Sequence, residues 1–296
     1  MYHIGKSKGD RVLDAVTASI SIIVLILTVY PVYYCLINSF NEGKDAVSGG
    51  IYLWPRVFTL ENYAMVFRNK SLLGSFLMTV LRTVGGTVVA IIGTSMAAYA
   101  LSNKKLKGRK FYMAFGLITL YFPASVVYSY LLYSQIGLLD NFLVYILPNI
   151  FQFYYIVLFI SFINELPDAL KESAKIDGAN EFVILFRIIM PLSMPVIATL
   201  ALFVGVWHWN DWFHPAFFIT NEKLMTLPAV LMRTMSLAQA QQELQKVISV
   251  SSSASVTTPE SIRYAMLIIA IAPVTIVYPY IQKYFVKGMM IGSVKG

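Results

Sequence analysis

Residues 172–179 read Glu-Ser-Ala-Lys-Ile-Asp-Gly-Ala, and this polar stretch lies between two uncharged apolar runs, 141–164 and 188–210. A membrane-spanning helix needs about 20 mostly apolar residues, so each run is long enough to cross a bilayer. The polar stretch mixes charged and small side chains and turns at Gly178. A surface of this kind between two spans predicts a bend at the membrane face that is presented to a soluble partner.

The sequence on either side of the bend is typical of an all-α polytopic membrane protein. Of the 296 residues, 57% are hydrophobic and 13% are charged, whereas soluble domains carry about 25% charged residues. Six apolar segments predict six transmembrane helices in a single domain over 1–296. We expect spans at about 15–40, 74–102, 111–136, 142–164, 188–210 and 264–282, cytoplasmic helices within 167–182, and extracytoplasmic loops at 41–70 and 211–262.

Two features refine this plan. The first apolar run follows a basic region, but it is longer than a signal-peptide core and lacks an A-x-A site, so we expect a retained span. In the second outer loop, 227–248 is compatible with a helix, and the Ser/Thr-rich stretch 249–258 is expected to be mobile. The single cysteine, Cys35, excludes a disulfide within the chain.

Lysine and arginine are distributed unevenly over the predicted connections. The two tails and the second and fourth connections carry 14 of them, and the longer loops on the other side carry eight. The positive-inside rule therefore predicts that both termini lie in the cytoplasm. The dense basic group at 104–110 is interpreted as a topological anchor, because a short loop between spans has too little reach to bind nucleic acid.

The local chemistry of 168–191 predicts two short helices joined by a turn. Asp168 suits the positive end of a first helix, and Gly178 suits the left-handed conformation that ends it. Asn180 is then placed to cap the second helix, which runs into Pro191. From the residues alone, an ordinary amphipathic interfacial loop remains the alternative.

This bend resembles the EAA loop of ABC importer permeases, with Ser173 and Met190 as the departures from the usual Ala and Leu. The matching positions are Glu172, Ser173, Ala174, Gly178, Ile188, Met190 and Pro191, and Asp177, Ala179 and Pro195 also fit. Segments 98–102, 209–212 and 284–296 are similar to carbohydrate-uptake permeases of the branch that handles di- and oligosaccharides.

The resemblance implies a type I ABC importer transmembrane domain in a bacterial cytoplasmic membrane. It implies a second homologous permease subunit, two cytoplasmic ATPase subunits and an extracytoplasmic solute-binding protein, in addition to membrane lipid. It also implies that the ATPase is coupled through Glu172, Ser173, Ala174, Asp177, Gly178 and Ala179. The chain has no G-x-x-x-x-G-K-[ST] motif, so we expect it not to be an enzyme and to hold no cofactor, with ATP and Mg on the partner ATPase.

Aromatic and polar residues in the third and fifth spans suggest a substrate path. Sugars are bound by hydrogen bonds to their hydroxyl groups and by stacking, so the predicted path residues are Tyr121, Tyr128, Trp207, Asn210, Asp211 and Arg82. The aromatic residues also fit a membrane-interface belt or simple core packing. Arg82 is interpreted as snorkelling to the outer headgroups, with contact to an acidic sugar or to the partner subunit as the alternative.

The predicted substrate is an oligosaccharide, including a plant-polysaccharide or uronate-containing fragment. A non-sugar solute is the first alternative. An ion-coupled secondary transporter is a weaker one, because it needs acidic side chains or broken-helix ion sites near the midplane and the predicted spans contain no Asp or Glu. A metal site at His208, Asp211 and His214 is not expected, since no other ligands converge there.

Overall fold

A computed structural model describes residues 8–47, 49–248 and 259–293, and these residues are almost entirely helical. The α-helices are α1 Lys8–Ser39, α2 Gly43–Val47, α3 Glu61–Arg68, α4 Lys70–Ser102, α5 Arg109–Tyr121, α6 Val126–Gln135, α7 Phe153–Ile163, α8 Asp168–Ile176, α9 Glu181–Ile184, α10 Met190–Leu192, α11 Met194–Asn210, α12 Phe213–Phe218, α13 Leu227–Ile248 and α14 Pro259–Ser293. Short 3-10 turns cover Phe142–Tyr145, Leu147–Asn149 and Glu222–Leu224, and a π turn covers Leu185–Ile189.

The six predicted spans divide into three unbroken helices and three bent ones. Within the described residues, Val12–Ser39, Lys70–Ser102 and Glu260–Tyr280 are long and apolar enough to cross a membrane unbroken. The other three are helix pairs bent by 118° between α5 and α6, by 47° between Phe142–Asn149 and α7, and by 85° between Glu181–Leu192 and α11. The all-helical, six-span fold class is therefore confirmed.

Prolines account for some of the bends. Pro123 lies in the break after α5, and Pro191 and Pro195 flank the 85° bend, as expected of a residue that removes a backbone donor and clashes with the preceding turn. Pro31 and Pro273, in contrast, lie inside α1 and α14, which continue past them. Proline alone therefore does not decide where a span breaks.

Several segment limits differ from the predicted ones. The second span starts at Lys70 rather than at 74, and α14 begins at Pro259, inside the predicted outer loop 211–262. The predicted loop 41–70 contains α2 and α3. The helix predicted at 227–248 is α13, with the same limits. The stretch 249–258, predicted to be mobile, lies outside the described residues.

The chain separates into two compact units. Among the described residues, the first combines 8–47 and 49–69 with 234–248 and 259–271. In it, the turn after α1 is held by Asn62, a fully buried side chain whose Nδ2 donates to the carbonyl oxygens of Ser39 and Asn41 at 2.9 Å each. Phe40 stacks on Phe58 with ring centroids 5.5 Å apart, and Asn41 forms an isolated antiparallel bridge with Phe58.

The second unit combines 70–233 with 272–293 and contains the larger core. Helix α4 packs along α7 and α11. One cluster of this core joins α4 and α7 to the helices on either side of Gly178. It includes buried Ala98, Phe159, Ile163, Ala174, Ile184, Leu185 and Ile189. A second cluster consists of Leu138, Val144, Tyr145, Phe218 and Ile219.

Candidate functional site

The bend after α8 is a complete helix-stop motif centred on Gly178. Gly178 has φ +81°, and its backbone N–H donates to Lys175 O at 3.1 Å while the N–H of Ala179 donates to Ala174 O at 2.9 Å. These two bonds define a Schellman motif with glycine in the left-handed position. Ala174 and Ala179 pack against the same core cluster, which supplies the apolar contact of the motif. The predicted glycine turn is thus confirmed.

The next helix begins directly after the turn. Asn180 Oδ1 accepts a hydrogen bond from Val183 N at 2.9 Å, so Asn180 is the predicted N-cap. The helix then passes through the π turn Leu185–Ile189, whose residues Leu185 and Ile189 are buried. The bend therefore has fixed backbone geometry on both sides of Gly178.

Glu181 fastens the bend to the end of α4. Its Oε1 lies 2.6 Å from Lys175 Nζ of α8, and its Oε2 accepts a hydrogen bond from the Tyr99 hydroxyl of α4. One carboxylate thus joins the helix before the turn, the helix after it and the end of a long span. Tyr99 and Glu181 are partners that sequence reasoning did not identify, although Tyr99 stands within the quoted segment 98–102.

The opposite face of α8 is open. Ala174 is 7% exposed, whereas Ile176 is 86% exposed. Glu172 lies one turn before Ile176, so the two share a face, and the Glu172 carboxylate has no partner among the described residues. Ser173 is exposed and bonds only locally, to Leu170 O at 3.3 Å. The face combines a free carboxylate with an exposed apolar side chain, the chemistry of a protein contact.

Arg82 is buried, and the prediction that it snorkels to the headgroups is wrong. Its guanidinium pairs with the Asp211 carboxylate, with Arg82 side chain 0% and Asp211 7% exposed. Nη1 also donates to Asp211 O at 3.0 Å. Arg82 lies twelve residues into α4, about 18 Å along the helix axis at 1.5 Å per residue. The cation is therefore neutralised inside the unit rather than solvated at its surface.

Aromatic and imidazole rings surround this ion pair. The Tyr145 ring lies 4.4 Å from Arg82 Cζ, and the Trp207 ring lies 5.7 Å from it. His214 Nδ1 is 2.8 Å from Asp211 Oδ2. Asp211 also accepts from the backbone N–H of Phe213 at 2.9 Å, which shapes the start of α12. Within the described residues, no group of three metal-ligating side chains is assembled here or elsewhere.

The predicted path residues are only partly brought together. Arg82, Asp211 and Trp207 meet in the cluster just described. Tyr121 and Tyr128 lie on either side of the α5–α6 break and are 75% and 72% exposed. Asn210 is exposed at the end of α11, where its amide nitrogen donates to Val206 O at 3.0 Å.

Hydrogen bonds of Asp140, here called the clasp, join the loop after α6 to the loop after α12 in the second unit. Asp140, with φ +57°, accepts hydrogen bonds from the Thr220 hydroxyl and from the backbone N–H groups of Thr220 and Asn221, at 2.6 and 2.7 Å for the latter two. The Thr220 hydroxyl, followed by these N–H groups, holds the pKa of the Asp140 carboxyl below its ordinary value. The clasp positions the loops and offers no free ligand group.

Three uncharged polar side chains, which sequence reasoning did not select, meet beside α11. Gln152 Nε2 donates to Asn149 Oδ1 at 3.2 Å, at the break before α7. His208 of α11 lines the same small cavity as both of these residues. The sequence does contain a signal for them, since all three interrupt otherwise apolar runs.

Comparison with known proteins gives consistent, nearly full-length similarity. Residues 62–291 match the family model described as the binding-protein-dependent transport system inner membrane component. Protein LplC of Bacillus subtilis is 34% identical over 290 residues, 98% of this chain and 97% of that protein. The polygalacturonan/rhamnogalacturonan transport system permease protein YtcP of the same organism is 32% identical over 287 residues, 97% and 99% of the two chains.

A solved structure is similar as well. A bacterial ABC transporter involved in the import of the acidic polysaccharide alginate contains a chain that matches with a TM-score of 0.81 and 27% identity. The match covers 95% of this chain and 99% of that chain.

Proposed function

This chain belongs to the family of inner membrane components of binding-protein-dependent transport systems, and from that membership we propose that it is the subunit through which an ATP-driven importer moves an oligosaccharide into the cell. As an ABC permease subunit, the chain is a multi-pass protein of the cytoplasmic membrane and is not itself the ATPase, which is a separate subunit. The observation that carries the proposal is nearly full-length similarity to a permease protein named for polygalacturonan and rhamnogalacturonan, in a chain whose bend after α8 is rigid and exposed on one face.

The bend is the coupling element in this proposal. Glu172, Ser173, Ala174, Asp177, Gly178 and Ala179 form or flank its Schellman turn. One side is anchored in the core through Ala174, and the other presents Glu172 and Ile176. Closure of a partner ATPase would pull on this exposed side. Because the turn is held by two backbone bonds and by Glu181, the pull reaches α4 and the helix after the turn rather than being absorbed locally.

The substrate class rests on the relatives. One relative is named for polygalacturonan and rhamnogalacturonan, and another transporter for alginate, which its description calls acidic. These names support an oligosaccharide substrate, including uronate-containing fragments. In this proposal Trp207, Asn210 and the Arg82–Asp211 cluster border the passage, together with Tyr121 and Tyr128. Arg82 contributes there by shaping the cluster, since its charge is already paired.

The assembly follows from the family. We infer a second homologous permease subunit, two ATPase subunits that hold ATP and Mg, and an extracytoplasmic solute-binding protein, as the words binding-protein-dependent imply. The excess of lysine and arginine on one set of connections supports an orientation with both termini in the cytoplasm. In that orientation the bend faces the ATPase.

The test is substrate-stimulated ATP hydrolysis and uptake in proteoliposomes. The complete complex, with its neighbouring permease, ATPase and binding protein, is supplied in turn with trigalacturonate, galactotriose and arabinotriose. We expect one sugar to stimulate both activities. Failure of every sugar in an intact, ATP-hydrolysing complex would move the substrate outside carbohydrates.

Glu172→Arg tests the coupling role in the same assay. We expect the variant complex to contain less of the ATPase subunit and to lose sugar uptake, because the substitution reverses the charge on the open face of α8. Glu165→Arg is the matched control: it makes the same charge change on an exposed residue of the same connection, ahead of α8. Equal uptake by the two variants would contradict the assignment of α8 as the coupling helix.

A further inference from the structure

The break before α7 assembles a polar group inside otherwise apolar spans. Asn149 ends a 3-10 turn and is 7% exposed, and Gln152 is exposed in an extended conformation just before α7. Their amides are joined by the 3.2 Å hydrogen bond from Gln152 Nε2 to Asn149 Oδ1. Irregular backbone at membrane depth is tolerated where it is buried in protein or lines a polar cavity. The polar side chains at this break indicate the second case.

His208 lines the same cavity as these two residues, and its imidazole is buried. The residue is 1% exposed, and neither ring nitrogen has a partner within the described chain. A Cβ built on Gly86 would lie 2.5 Å from Nε2, so the glycine is what lets this edge of the ring approach α4. A buried polar group without a partner costs stability, because it has lost its hydrogen bonds to water. A phenylalanine or leucine would avoid that cost, so the imidazole indicates that a polar group, from a ligand or from a water molecule, meets this position.

A cavity of about 40 Å³ lies among these groups, lined by Asn149, Gln152, Tyr155, Val204, Trp207 and His208. One water molecule needs about 10–15 Å³ of such volume, so the cavity has room for a hydroxymethyl group or for two hydroxyl-sized groups. Trp207 remains 36% exposed and Gln152 is exposed, so the site opens to the surface of the unit beside an aromatic ring.

The lining contains amides, an imidazole, a phenol and an indole, and it contains no carboxylate, ammonium or guanidinium group. The nearby Arg82 is committed to Asp211. This chemistry suits sugar hydroxyls, which both donate and accept hydrogen bonds, and it gives no favourable partner to a sugar carboxylate.

We propose that Asn149, Gln152 and His208, beside Trp207, form a subsite for one sugar residue during transport. The subsite binds the hydroxyl groups of that residue and makes no ionic contact with a carboxylate on it. The inference rests on the proposed oligosaccharide function and makes it more specific. A subunit built in this way accepts neutral and uronate residues alike, so discrimination by charge lies with other subunits of the importer.

The test measures uptake kinetics in proteoliposomes containing the complete importer. The probe is trigalacturonate, or galactotriose if the wild-type complex accepts only the neutral sugar, and rates are normalised to the assembled complex recovered. Gln152→Leu is expected to lower the maximal uptake rate about five- to tenfold, with the half-saturating concentration unchanged within twofold. The binding protein captures the sugar before the subsite acts, so only the maximal rate responds. Gln135→Leu, an exposed glutamine at the end of α6, is the matched control and leaves uptake unchanged.

Three further variants test the chemistry of the subsite. If the subsite binds hydroxyl groups, Gln152→Lys lowers uptake as Gln152→Leu does. Uptake of trigalacturonate by Gln152→Lys at or above the wild-type rate would overturn the assignment to hydroxyl groups. His208→Gln retains most of the uptake and His208→Leu does not, although Leu fills the buried position well. Full uptake by both Gln152→Leu and His208→Leu would overturn the subsite while leaving the importer function intact. A wild-type complex that responds to none of the three sugars, trigalacturonate, galactotriose and arabinotriose, overturns the proposed function, and the subsite with it.

Discussion

Replacement of Gly178 by alanine isolates the backbone geometry of the bend from its side-chain contacts. A Cβ at Gly178 would meet nothing within 4 Å, so the substitution creates no steric overlap. What remains is the conformational cost at φ +81°, which is roughly 1–2 kcal/mol for a residue with a Cβ in the left-handed region. Such a cost reduces the population of the native turn by a factor of about 5 to 30.

The assay is sugar uptake and substrate-stimulated ATP hydrolysis by the reconstituted importer, with Gly178→Asn, Gly178→Ala and Gly178→Pro compared. Asparagine tolerates the left-handed region, so we expect near-normal coupling from Gly178→Asn and a severalfold loss from Gly178→Ala. Proline fixes φ near −65° and removes the N–H that donates to Lys175 O, so Gly178→Pro should abolish uptake while the protein stays in the membrane.

Gly137 provides the matched control. It has φ +68° and equally open surroundings, but it lies between α6 and the 3-10 turn at Phe142–Tyr145, away from the bend. Gly137→Ala carries a similar backbone cost and should leave the ratio of sugar moved to ATP hydrolysed unchanged. Normal uptake by Gly178→Pro, or equal loss in both alanine variants, would refute the view that this turn transmits force.

Three other substitutions test further contacts of the second unit. Tyr99→Phe removes the hydroxyl that fastens the bend to α4, and we expect more ATP hydrolysed per sugar moved, by severalfold, at unchanged membrane abundance. Arg82→Met removes the guanidinium that neutralises the buried Asp211 carboxylate and leaves it only His214 and backbone N–H groups, so thermal unfolding in detergent should reveal a loss of about 3–5 kcal/mol, which the double variant with Asp211→Asn partly restores. Gly86→Ala forces a Cβ against a buried imidazole and should destabilise by about 1–3 kcal/mol, whereas Gly74→Ala, in open space on the same helix, should not.

Hydropathy and helix-end chemistry were sufficient to predict much of this fold. Six apolar runs, the helix at 227–248 and the turn at Gly178 all follow from local sequence, because each depends on neighbours within a few residues. The breaks in three spans do not follow from an averaged hydropathy window. Proline residues did not settle them either, since Pro31 lies in unbroken helix and Pro123 lies in a break.

The contacts of the site were harder to predict because they join distant positions. Arg82 and Asp211 are 129 residues apart, and nothing in either local sequence specifies the pair. When that partner is not known, a lone arginine in an apolar run is interpreted as a residue whose side chain extends to the lipid headgroups. His208 is a lone polar residue near the end of an apolar run, and only the packing of α11 against α4 shows it to be buried beside Gly86.

The pairing of Arg82 with Asp211 also has an electrical consequence. A single charge carried across the full membrane potential changes in free energy by about 2.3 kcal/mol per 100 mV. The guanidinium and the carboxylate are in hydrogen-bond contact, so they move as one neutral dipole when the helices that carry them repack. This pair therefore contributes no gating charge.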